Sequence, residues 1–221
     1  ARFCPNCGYP VGIQAPEERR FVTVIFVDLV GSTRLASQID PERYREVLTR
    51  YYRMVAEELE SLRGRAYNFA GDAVVGVFGL QHTHDDDALR AVRAGLGLVD
   101  RVGRLGEEIG LPVPLRIRVG IHTGPVAIGT EASEQGLLYG ATVNMAARLQ
   151  QAADPGTVLV SETSYLLSLS QVQYGPMREV EAKGFEDEAR AWPGAALRPG
   201  AGRRTSAFVN RKREVRLLQD S

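Results

Sequence analysis

Phe21-Val22-Thr23-Val24-Ile25-Phe26-Val27-Asp28-Leu29-Val30-Gly31-Ser32-Thr33 decides how this chain reads. Every residue of 21–27 is β-branched or aromatic, the composition of a buried strand. The run then stops on a carboxylate. An acid at a strand end can hold a divalent cation. The small residues after it, Val30, Gly31, Ser32 and Thr33, can turn backbone N–H groups toward phosphate oxygens. The competing role for Asp28 is to cap the next helix.

Downstream, Asp40-Pro41 opens a helix, since proline suits the first helical position. Tyr44, Val47, Leu48, Tyr51, Val55 and Leu59 keep helical spacing to about Leu62. Residues 65–70 and 73–78 read as strands of a hairpin that turns at Gly71-Asp72. Residues 85–108 form a second long helix, with acids early as the macrodipole prefers. A strand over 115–121 and a helix over 140–152 follow, the latter stopped by Asp154-Pro155-Gly156. A short strand covers 157–160, and two more are expected around Lys183-Gly184. This order predicts an α+β domain, with helices packed on one face of a mixed sheet.

Two constellations carry chemistry. Asp72 alone is an ordinary turn residue. On a strand neighbouring that of Asp28, it would complete a carboxylate pair beside a phosphate turn. Such a pair suits two Mg²⁺ ions bridging a nucleoside triphosphate. Asn144 and Arg148 stand i, i+4, on one helix face. Asn can orient a ribose, and Arg can spread planar donors over a phosphoryl transition state. Taken alone, the same pair is also what a solvated helix face looks like.

Composition excludes several classes. The 221 residues are 44% hydrophobic and 24% charged, as in an ordinary globular protein. Lys and Arg number 27 against 27 Asp and Glu, so no bulk charge grips nucleic acid or an anionic membrane. No apolar run is long enough to span a bilayer. Two cysteines cannot make a disulfide scaffold, and a cytoplasmic protein is the default expectation. Cys4-Pro5-Asn6-Cys7-Gly8 is half of a zinc ribbon, and Zn²⁺ there needs two ligands from elsewhere. The reading favoured for this chain is a solvated tail with two free thiols. The expected organisation is a knuckle or tail at 1–14, a linker at 15–20, the main domain at 21–193, a linker at 194–207 and the start of a following module at 208–221.

Several stretches together resemble the class III nucleotide cyclase catalytic domain, from about Arg20 to Trp192. They are Val27-Asp28-Leu29-Val30-Gly31-Ser32-Thr33, Ala70-Gly71-Asp72-Ala73, Arg118-Val119-Gly120-Ile121-His122-Thr123-Gly124-Pro125-Val126, Tyr139-Gly140 through Arg148-Leu149, and Ala182-Lys183-Gly184-Phe185. The resemblance implies a ferredoxin-like core and a head-to-tail homodimer with active sites at the interface. It implies two Mg²⁺ or Mn²⁺ ions on Asp28, Asp72 and the Leu29 carbonyl, and Asn144 and Arg148 supplied by the opposite subunit. Lys183 would lie near the phosphates. Phe208-Val209-Asn210-Arg211-Lys212-Arg213-Glu214 is similar to the entry of a P-loop ATPase module, so regulation by fused domains is expected.

Two positions depart from the family pattern. Adenylyl cyclases place Lys where this chain has Asn68, and Asp or Thr where it has Leu137, to read the purine edge. Guanylyl cyclases use Glu and Cys, which also fails to match. Losing one base contact costs about 1–3 kcal/mol. Losing a metal carboxylate or the transition-state Arg costs more. The expectation is therefore an active cyclase with relaxed base choice and ATP as first substrate. The alternative is a nucleotide-binding regulatory or dimerisation module without turnover.

Overall fold

The computed structural model describes residues 18–111, 113–128, 140–180 and 189–199. The elements in order are β1 (Glu18–Leu29), α1 (Ser32–Gln38), α2 (Pro41–Ser61), β2 (Arg65–Ala70), β3 (Ala73–Phe78), α3 (Asp87–Glu108) and β4 (Ile117–Ile128). Then come α4 (Ala141–Ala152), β5 (Thr157–Ser161), α5 (Glu162–Ser168), β6 (Val172–Tyr174), β7 (Arg178–Val180) and β8 (Ala189–Leu197). The strands form one mixed sheet in the order β2-β3-β1-β4-β5-β8-β6, with β7 also on β8. Its first half is the expected ferredoxin-like unit, with α2 and α3 as the crossovers. β4 and β5 are parallel, and α4 connects them.

Strand alternation divides the sheet into two faces. Ile25, Val27 and Leu29 point to one side and meet Val47, Tyr51, Val55 and Leu59 of α2 and Val92 and Leu98 of α3 in the main core. Val22 and Val24 point to the other side, where they pack with Val75, Val77 and Ala146 of α4. Helices thus cover both faces, which corrects the one-face expectation. The buried side of α4 includes Thr142 and Gln150, so its polar composition disguises a packed helix.

Gly120 sets how closely α4 lies on β4. An added Cβ there would overlap the Ala146 carbonyl oxygen and the Gln150 amide nitrogen, and would sit 2.8 Å from the Gln150 Cα. Only a residue without a side chain admits that backbone approach.

Other boundaries differ from the sequence reading. The turn after β1 becomes the short helix α1, because Leu35 reaches the core at 3% exposure. The reading gave no separate helix for α5. β4 continues past Ile121 to Ile128, pairing with β1 along its whole length. β5 pairs with β4 only up to Ile121, so Pro125 lies where that side of the strand is open. β1 begins at Glu18 and β8 ends at Leu197, inside stretches first assigned to linkers. Pro193 and Gly194 look like linker residues, yet they pair with Leu159 and Val158 beside a register shift in the β6–β8 ladder.

Gly120→Ala is expected to lower the unfolding free energy by about 3 kcal/mol, at the upper end of overpacking penalties. Gly103→Ala on α3, where an added Cβ meets nothing within 4 Å, should be neutral or stabilising by up to about 1 kcal/mol. Urea denaturation of the two variants side by side checks both.

Candidate active site

The register of the sheet brings the two acids together. β1 and β3 are antiparallel neighbours, with Val27 opposite Val74. One step further along β1 carries Asp28 level with the β2–β3 turn. Asp72 sits in that turn, after Gly71 at φ 63°. Both acids therefore lie at one end of the sheet, one on β1 and one in the neighbouring β2–β3 turn, as a shared metal site requires.

Asp28 does not cap α1. The N-cap is Gly31, at φ 72°, with no side-chain cap. Instead the Gln150 amide donates to Asp28 Oδ2 at 3.0 Å. Across the ladder, Asp28 pairs with Arg118. Burial pushes the Asp28 carboxyl above its ordinary range, and the charge of Asp72 pushes the same way. The Gln150 hydrogen bond, the Arg118 charge and the Leu29 amide oppose that rise. Among the described residues, the buried Arg118 Nε has no hydrogen-bond partner.

Helix α2 touches the backbone just before each acid. The buried Tyr51 hydroxyl donates to the Val27 carbonyl at 3.3 Å. The Tyr52 hydroxyl donates to the Gly71 carbonyl. Burial first, then the nearby acids, push both phenols upward, so both remain protonated donors.

The expected phosphate turn is only partly free. The Val30 N–H already donates to the Arg116 carbonyl at 2.8 Å, which corrects its assignment as a free donor. Ser32 and Thr33 open α1, where first-turn amides have no intrahelical acceptor.

Asn144 and Arg148 are not brought to the acids of their own chain. On a helix, residues two apart are about 200° apart, and residues six apart about 240°. With Gln150 turned toward Asp28, both point away from that sheet. Asn144 is exposed, Arg148 is half-buried, and Arg148 is not among the charges acting on Asp28. The backbone of Asn68 pairs with Val75, which pairs with Phe26, two residues before Asp28. Leu137, Lys183, Cys4, Cys7 and residues 200–221 lie outside the described residues.

Gln150, Arg118, Tyr51 and Tyr52 are absent from the sequence-derived site. Arg118 had a usable signal, a charge inside a strand destined for burial. Gln150 had none, because it looks like any polar helix residue.

Among the described residues, no three His, Cys, Asp or Glu side chains converge on one point. Asp28, with the charge of Asp72 beside it, fits a divalent cation of the kind completed by substrate oxygens and water.

A ferredoxin-like sheet with acids at the β1 end and the β2–β3 turn, and α4 across the opposite face, is a nucleotide cyclase fold. The chain belongs to the adenylate and guanylate cyclase catalytic domain family, whose family model matches residues 15–192. The structure of the adenylyl cyclase CyaB from P. aeruginosa superposes with a TM-score of 0.78 at 26% identity, over 83% of this chain and 98% of that one. The guanylyl cyclase Cya2 gives 0.77 at 29% identity, over 84% and 97%. An uncharacterized protein of Rhizobium meliloti (strain 1021) is 35% identical over 211 residues, 91% of this chain. The match spans only 20% of that relative's length.

An acid raised by burial loses its proton more readily in the unfolded chain than in the folded one. Its ionisation therefore lowers stability as pH rises through its folded value. In EDTA at pH 7, Asp28→Asn is expected to raise Tm, read by calorimetry. Burial lowers His122 to about 4, and its Nδ1 lies 2.8 Å from Ser161 Oγ. The stability that depends on a neutral His122 is present above pH 6.5 and lost as pH falls toward about 4. His122→Asn should flatten that part of the stability–pH curve.

Proposed function

We propose that the domain converts a nucleoside triphosphate, with ATP as first substrate, to its 3′,5′-cyclic monophosphate and pyrophosphate. The observation that carries this reading is that Asp28 on β1 and Asp72 in the neighbouring β2–β3 turn share one end of a cyclase sheet. The ribose 3′-oxygen attacks the α-phosphorus and its proton leaves to solvent. The bond from that phosphorus to the pyrophosphate oxygen breaks. Two Mg²⁺ or Mn²⁺ ions on Asp28, Asp72 and the Leu29 carbonyl would ease loss of the hydroxyl proton and neutralise charge on the leaving group.

The chain's own groups do the positioning. The amides of Gly31, Ser32 and Thr33, with Lys183, take the phosphate oxygens. Arg118, with its buried unpartnered Nε, adds a charge on the same side. Asn144 orients the ribose and Arg148 stabilises the transition state. Because α4 turns these two away from its own Asp28, they serve the site of a second copy, and the working unit is a head-to-tail homodimer. Asn68 and Leu137 stand at the base edge and relax its selectivity.

The flanking segments we assign to neighbouring modules of a longer, cytoplasmic signalling protein. Residues 208–221 then belong to an ATPase-like module, and Cys4 and Cys7 would hold Zn²⁺ only with two ligands from elsewhere. The fivefold greater length of the R. meliloti relative supports that arrangement.

Pure protein is incubated with ATP, GTP, CTP or UTP and Mn²⁺ or Mg²⁺, and cyclic products are resolved by chromatography. Cyclic AMP is expected to form fastest. Asp28→Asn and Asp72→Asn should each lower kcat/KM by roughly a thousandfold. Arg148→Ala should lower kcat by about a hundredfold, with metal binding little changed. Mixing inactive Asp28→Asn and Arg148→Ala chains should restore about a quarter of wild-type activity, since half of the random dimers hold one complete site. No recovery on mixing would rule out the shared site. Binding of ATP that needs Asp28, without any cyclic product, would leave the regulatory module standing, the reading that Asn68 and Leu137 motivate.

A further inference from the structure

We propose that Gln150 and Tyr52 are positioning residues of this site, holding Asp28 and the hairpin of Asp72 from opposite faces of the sheet. The inference rests on the two-metal reading above and assigns its support to named donors.

Gln150 is 7% exposed, and its amide reaches Asp28 Oδ2 at 3.0 Å. A carboxylate offers about four lone-pair directions. A donor fixed on Oδ2 occupies one of them and sets the plane of the group. That leaves Oδ1 to face a cation. The donor itself cannot drift, because Gly120 seats the α4 backbone directly on β4 at Gln150.

Asp72 has the opposite problem. It sits in a turn at the margin of the sheet, where β2 is the edge strand. Gly71 holds a left-handed conformation there and brings no side chain to anchor the turn. The Tyr52 hydroxyl, from the other face, takes the Gly71 carbonyl and ties the turn to α2. The adjacent Tyr51 does the same for the Val27 carbonyl before Asp28. Neighbouring residues of one helix therefore grip the backbone ahead of both acids, while Gln150 fixes one carboxylate from across the sheet.

The test uses variants that remove a donor and keep the bulk, Gln150→Met and Tyr52→Phe, beside wild type and Asp28→Asn. Free Mn²⁺ is followed by electron paramagnetic resonance during titration of each protein with a non-cleavable ATP analogue present. The Mn²⁺ midpoint for cyclase activity and Tm are measured in parallel. Each donor-less variant is expected to weaken Mn²⁺ binding roughly tenfold or more, as loss of a ligand's supporting partner does elsewhere. The activity midpoint should shift by the same factor, and kcat at saturating Mn²⁺ should stay within about threefold of wild type. Wild-type Mn²⁺ affinity in both variants overturns the inference, whether or not Tm falls, provided that wild type binds and Asp28→Asn does not. If wild type takes up no Mn²⁺, the two-metal reading fails and the inference fails with it.

Discussion

Two acids share one end of the sheet, and the groups packed around Asp28 decide whether it can stay ionised there. Desolvation and the field of Asp72 both work against the ionised form of Asp28. A lone pair of acids in that position would take up a proton or move apart. Neither is easy here. The ladder fixes β1 against β3 and β4 over a long register, so Asp28 cannot slide. Gln150, Arg118 and the Leu29 amide favour the charged form. The remaining imbalance is the kind that a divalent cation removes. On the two-metal reading, the site would be costly when empty and relieved when filled, a common bargain between stability and function.

The same constraint explains why the helices divide their work. α2 and α3 supply the apolar mass that packs the sheet face opposite α4. α4 contributes little to that core and packs its own smaller one with Leu159, Val180 and Ala191. Its inner side carries the donor to Asp28, and its outer side carries Asn144 and Arg148. On the proposed reading, one helix holds groups for two different chemical tasks, on opposite sides.

Much of this was legible in the residues. The run at 21–27 announced β1 through its composition, and the strand ends one residue after Asp28, at Leu29. The hairpin around Gly71-Asp72 was equally plain, because turn chemistry is local. Adjacency of the two strands was not local. It is set by the sheet order, which places β3 and not β2 beside β1. The side of the sheet taken by α4 was also hidden, since Thr142 and Gln150 look like surface residues until Gly124 and Gly120 let them approach the strand. Pro193 and Gly194 misled for the reverse reason. Their local preference is for a linker, and the pairing partners that override it lie in β5 and β6.

The contact at Gly120 has a consequence for control. A helix seated backbone to backbone on its strand cannot swivel or unwind without opening the sheet beneath it. Asn144 and Arg148 therefore travel with their whole domain. On the two-copy reading, a rigid-body twist or shift of one copy against the other would carry both side chains together, with docking angle as the controlled variable.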